Sequence, residues 1–142
     1  MNVKQVSIFL EHKPGTLYEV IKTLTDKDIH IRAFSVVETG GVSVVRLIVD
    51  NILWTASILK TLGYPATFTE VAVVSIQNSA LDFCHVLEVM KNAGVNIEYS
   101  YSVSMQGPTA GFVFEVSDTE GAYKALSEAG LKVITHEELY SL

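Results

Sequence analysis

The sequence predicts an α+β protein built as two ferredoxin-like βαββαβ units, each an antiparallel sheet with helices on one face. Three observations carry that reading. The chain has 142 residues and 49% hydrophobic content, enough for one ordinary core or two small ones. Its apolar residues alternate between the period of strands and the period of helices in a fixed order. That order occurs twice, with corresponding residues 66 positions apart in the first half of each unit and 67 apart in the second half.

The elements follow in sequence. Val6, Ile8 and Leu10 alternate along a strand over 3–10, and Ala72, Val74 and Ile76 match them in a strand over 71–77. Leu17, Val20, Ile21 and Leu24 share one face of a helix over 15–27, matched by Phe83, Val86, Leu87 and Met90 in a helix over 80–93. Two strands joined by a tight hairpin come next, over 29–38 and 42–49 and again over 95–105 and 110–117. Gly40-Gly41 and Gly107-Pro108 are the turn signals. Second helices over 51–62 and 118–129 start at the N-caps Asn51 and Asp118 and end at Gly63 and Gly130. Closing strands are expected over 66–70 and 131–136, with the units spanning 1–70 and 71–142. The order is the split-βαβ plan. The linker, Thr67-Phe68-Thr69-Glu70-Val71, is too short to let the units separate far.

Alternation also assigns the helix-free face of each sheet. Ser7, Phe9, Val44, Arg46, Ile48, Val71, Val73, Val113 and Glu115 point that way. This set is apolar for a solvated surface, so the face is expected to be covered by the other unit or by another subunit. The alternative is β-propensity on an exposed sheet. Tyr99 and Tyr101 are expected to face inward, toward the helices.

Composition excludes several classes of function. A net charge of −6 with 18% charged residues offers no clustered positive surface for a nucleic acid. The N-terminus has no signal-peptide pattern, and no apolar run approaches the length of a membrane helix. The single cysteine, Cys84, can form no internal disulfide and reads as a small packed helix residue. These features point to the cytoplasm. No CxxC, HxxxH, GxGxxG, GxxxxGK[ST] or GxSxG occurs, so no metal, cofactor or nucleophilic site is expected. His12, His30, His85 and His136 read as solvated or capping side chains, Trp54 as a packing or interface residue, and Glu137-Glu138 as a solvated end.

The loop after the first strand, Glu11-His12-Lys13-Pro14-Gly15-Thr16-Leu17, is the candidate site. Pro14 fixes φ, Gly15 permits close backbone approach, and the loop opens into a helix whose N–H groups suit a carboxylate or phosphate. Lys13 could add charge. The same residues also suffice for an ordinary strand-to-helix turn. The corresponding loop, Asn78-Ser79-Ala80-Leu81-Asp82, lacks Pro-Gly, and Asn78, Ser79 or Asp82 could cap its helix.

With its following helix and Asp28-Ile29-His30-Ile31, this loop resembles the ACT domain, as does Asn92-Ala93-Gly94-Val95-Asn96-Ile97-Glu98-Tyr99 in the second half. The resemblance spans the chain as two copies and looks most like small stand-alone tandem-ACT proteins of bacteria. It implies a regulatory protein, not an enzyme, that binds a small molecule such as an amino acid, forms a homo-oligomer (a dimer), acts on a metabolic enzyme and needs no cofactor. The implied ligand site lies between the first loop of one unit and the second strand of a neighbour. By position it comprises His12, Lys13, Pro14, Gly15, Thr16, Leu17 and Ile31 in the first copy. The second copy contributes Asn78, Ser79, Ala80, Asn96 and Ile97. His30 stands where Asn96 stands in the second copy, and the missing Pro-Gly implies that the two sites differ in occupancy. A ligand-free interaction module is the competing reading. An enzyme on this fold would need a convergent set of charged or nucleophilic groups, and the sequence shows none.

Overall fold

The computed structural model describes residues 2–77 and 80–141. The elements run β1 (Val3–Glu11), α1 (Thr16–Asp26), β2 (Ile31–Thr39), β3 (Val42–Val49), α2 (Ile52–Leu62) and β4 (Ala66–Gln77). They continue with α3 (Ala80–Asn92), β5 (Ile97–Val103), β6 (Thr109–Val116), α4 (Thr119–Glu128), β7 (Lys132–Val133) and α5 (His136–Ser141). Lys4–Thr69 forms one compact unit, and Glu70–Leu142 with Met1–Val3 forms the other.

In the N-terminal unit the strand order is β2-β3-β1-β4, β4 contributing its first residues. In the C-terminal unit the order is β7-β4-β6-β5. Both are the fourth-first-third-second order of the ferredoxin-like plan, all pairs antiparallel among those described. Each unit has one core between sheet and helices. Val6, Ile8, Leu24, Leu47 and Leu59 build the first. Ala72, Val74, Met90, Phe114 and Leu126, their counterparts in the repeat, build the second. The expected caps form: Asn51 accepts from the Trp54 N–H at 2.9 Å and Asp118 from the Gly121 N–H at 3.0 Å.

On the helix-free faces, Ile48, Val71, Val73 and Val113 are fully buried, and Phe9, Val44, Arg46 and Glu115 are half-buried. These are the positions that alternation assigns to that face.

Five expectations need correction. The closing strand of the first unit and the opening strand of the second are one unbroken twelve-residue strand, β4, because nothing between Ala66 and Gln77 breaks an extended backbone. The second hairpin is not tight: β5 stops at Val103 and β6 starts at Thr109. Gly40 and Gly41 both take positive φ, 57° and 84°, as a two-residue turn requires. Gly107 does so at 71°, but the ring of Pro108 forbids it, so the loop lengthens.

Tyr99 and Tyr101 do not face the helices. They pair with Glu115 and Val113, on the opposite face from Phe112 and Phe114. A register shift between Ile97 and Tyr99 reverses the alternation there. The last strand is only Lys132–Val133, and the segment expected to be a solvated end is helix α5 with Leu139 fully buried. Thr135 and Glu138 form a reciprocal capping box that starts it: the Glu138 N–H donates to Thr135 Oγ1 at 3.2 Å, and the Thr135 N–H to Glu138 Oε1 at 3.4 Å. Finally, Cys84 is exposed and not packed, because it follows Phe83 on the outer side of α3.

Candidate functional site

Gly15 is the N-cap of α1, with φ 92° and ψ −18°, a left-handed conformation that other residues adopt only at a cost. No side chain caps this helix, in contrast to α2 and α4. The loop is held closed by Thr16, whose hydroxyl donates to the carbonyls of Glu11 at 2.8 Å and Lys13 at 3.1 Å. His12 donates its backbone N–H to the Gly41 carbonyl at 3.2 Å. Its Nδ1 lies 2.9 Å from Ser43 Oγ, tying the loop to the β2–β3 turn. Lys13 pairs with Glu11 at 3.1 Å on the surface, and Pro14 is exposed.

From this loop an open groove of about 970 Å³ runs between α1 and the edge strand β2. Leu17, Tyr18, Ile21, Ile29, Ile31 and Phe34 give it apolar walls. Tyr18 and Phe34 are 67% and 62% exposed, unusual for side chains of this size. Phe34 pairs with Leu47 across the sheet, so it is on the helix side, beyond the reach of the core. The polar rim is engaged with itself: Lys22 and Asp26 pair at 2.8 Å, and the Thr25 hydroxyl donates to the Ile21 carbonyl at 2.7 Å.

At one end of the groove, His30 and Asp50 lock the start of β2 to the end of β3. Asp50 receives the His30 backbone N–H at 3.1 Å and stands 2.8 Å from its Nδ1, while the Asp50 N–H donates to the His30 carbonyl at 3.1 Å. Partial burial alone would raise the Asp50 pKa, but the hydrogen bonds from His30 and Asn51 outweigh it and hold the carboxyl below its usual value.

The structure thus brings Leu17 and Ile31 together in one groove, while His12, Lys13, Pro14, Gly15 and Thr16 precede Leu17 in the chain and are not part of the groove lining. In the C-terminal unit, Asn96 and Ile97 line a smaller recess of about 310 Å³, and Ala80 is exposed at the start of α3. Asn78 and Ser79 are outside the described residues. Phe83, in the position of Leu17, does not line this recess and packs on Phe112 with ring centroids 4.8 Å apart. Asn96 repeats the His30 lock with a neutral partner: its N–H donates to Ser117 Oγ at 3.0 Å, and the Ser117 N–H to its carbonyl at 2.9 Å.

Sequence reasoning missed Tyr18, Ile21 and Phe34 as site residues. Aligning the repeats position by position would have flagged two of them, since Cys84 and Ser100 stand where Tyr18 and Phe34 do. Among the described residues no group of histidine, cysteine or carboxylate side chains could hold a metal ion, and no helix is long and apolar enough to cross a membrane.

No curated protein matches this sequence. Among solved structures, a protein from Bacteroides thetaiotaomicron is 30% identical, with a TM-score of 0.92, covering 100% of this chain and 98% of its own. The regulatory subunit of aspartate kinase from Thermus thermophilus, in a ligand-free form, is 17% identical with a TM-score of 0.65 over 91% and 93% of the two chains. The corresponding subunit from Thermus flavus is 16% identical with a TM-score of 0.60 over 92% and 94%. The family described as an ACT domain pair matches residues 1–142. Two copies of one ferredoxin-like plan and a match along the whole chain have one reading: the chain belongs to the ACT domain pair family.

Proposed function

We propose that this chain is a regulatory protein that binds an amino acid at the Lys13–Leu17 loop and passes the signal to a metabolic enzyme through ligand-linked association, acting as a homodimer in the cytoplasm. The observation that carries the reading is the junction of a helix start without a side-chain cap and an apolar groove, with Leu17 belonging to both. A carboxylate at Gly15–Leu17 is favoured by the positive end of α1 and by backbone donors. Strand carbonyls would accept from the ammonium group, and the side chain would enter the groove. Membership in the ACT domain pair family supports the regulatory role.

The signalling mechanism follows from linkage. The groove is open, and β2, which lines it, is an edge strand that also exposes Val36 and Val37. A ligand seated there and covered by a second subunit would be bound more tightly by the associated state. It would promote association by the same factor. The exposed apolar edge also favours the second reading, a module that pairs with a protein and takes no ligand.

Thermal unfolding against each of the twenty amino acids tests the proposal. A ligand at about 100 times its dissociation constant stabilises by about 2.7 kcal/mol, a readily visible shift. The Gly15→Asp variant should lose that shift, because a carboxylate then competes for the same donors. Its own unfolding midpoint should fall only slightly, since nothing lies within 4 Å of a Cβ built at Gly15 and the cost is the φ of 92° alone. Unchanged affinity in that variant would remove the loop from the site. No shift with any amino acid would favour the interaction module.

A further inference from the structure

Among the positions that differ between the two grooves, three change where aromatic rings stand. Leu17, Tyr18 and Phe34 in the N-terminal unit correspond to Phe83, Cys84 and Ser100 in the C-terminal unit. In the second unit the extra aromatic ring is turned to the core, against Phe112, and the two outer walls are removed. The first unit instead holds two aromatic walls in water, over a floor of Leu17, Ile21 and Ile29.

We infer that Tyr18 and Phe34 set the specificity of the first groove for a ligand with a large apolar side chain, aromatic or branched aliphatic, and that the second groove takes none. The inference rests on the reading above for the carboxylate end of the ligand. Two observations define the class. The walls are apolar and large enough in area to repay burying a side chain of similar size. The polar groups at the rim are engaged with one another, Lys22 with Asp26 and His30 with Asp50, so among the described lining residues no unpartnered charge is directed at a polar or ionic ligand group. A charged side chain entering the groove would lose its water and gain no partner. A small one would leave both aromatic walls exposed.

Calorimetric titration of the whole protein with L-phenylalanine, L-leucine, glycine, L-aspartate and L-lysine tests this. L-Phenylalanine and L-leucine should bind at one site per chain, and the other three should not. Phe34→Ser and Tyr18→Cys, which install the residues of the second unit, should each weaken L-phenylalanine about tenfold or more. Both side chains are exposed, so circular dichroism should show an unchanged fold. Binding of glycine, aspartate or lysine with phenylalanine and leucine silent would overturn the specificity while leaving the carboxylate site standing. Undiminished phenylalanine binding in both variants would overturn the assignment of these residues, and two sites per chain would overturn the exclusion of the second groove. Silence with all five probes overturns the specificity. The twenty-amino-acid screen then separates that result from failure of the amino-acid reading as a whole.

Discussion

The N-terminal unit leaves Tyr18 and Phe34 standing in water beside a groove of about 970 Å³, whereas the C-terminal unit has Cys84 and Ser100 there and a recess of about 310 Å³. The two units share strand order, core positions and helix caps. Besides the longer second hairpin and helix α5, they differ on the outer edge, between the first helix and the second strand of each unit. The contrast separates residues that make the fold from residues available for another purpose. Core positions show mostly apolar exchange, such as Leu47 for Phe114 or Leu24 for Met90. Edge positions have changed character altogether.

The largest test of this division is in the cores. Leu59 and Leu126 are corresponding residues, 1% and 0% exposed. Leu59→Ala and Leu126→Ala should each cost about 2–5 kcal/mol in chemical denaturation. A loss below about 1 kcal/mol at either site would mean that one unit packs its core less tightly than the other. A smaller effect is expected where the repeats differ in backbone strain. Asp28 and Gly94 both end a first helix with positive φ, 61° and 71°. Each is followed by the same pair of bonds, Ile29 N–H to the Leu24 carbonyl and Val95 N–H to the Met90 carbonyl, both at 3.0 Å. Asp28→Gly should therefore raise stability by up to about 1 kcal/mol, and Gly94→Asp should lower it by a similar amount. Equal and negligible effects would show that the left-handed position carries no strain in either unit.

The smallest effect concerns the lock between the second and third strands of each unit. The Asp50 carboxyl is held below its usual value, with burial opposing and the His30 and Asn51 hydrogen bonds prevailing. Its contribution is thus complete above the ordinary aspartate pKa and disappears as pH falls through the depressed native value. Asp50→Ser, which installs the residue of the second unit, should cost less than about 1 kcal/mol at neutral pH. Its stability should converge with that of the parent protein in the acid limb below the usual aspartate range. A difference that persists unchanged into that limb would assign the effect to packing.

Much of the fold was legible because the repeat doubles every signal. A weak helix pattern at Leu17–Leu24 gains force when Phe83–Met90 copies it. Helix ends were legible for a local reason, since Asn51 and Asp118 bond within their own first turns. The orientation of Tyr99 was not, because it depends on a bulge imposed by pairing with β6, a long-range event. Helix α5 was legible in principle: Thr135-His136-Glu137-Glu138 spells a capping box, but it begins within an apolar run that also reads as strand. Of the site, the loop was legible from Pro14-Gly15. The groove was not, because it joins residues from a helix and a strand whose proximity only the folded sheet creates.

Trp54, the one tryptophan in the chain, donates its indole N–H to the Lys27 carbonyl at 3.3 Å, bridging the start of α2 to the end of α1. It is 44% exposed. Tryptophan emission, excited at the red edge of aromatic absorption, therefore comes from a side chain of the unit with the open groove. Any event that shifts the end of α1 has a label-free optical signature already built into the chain.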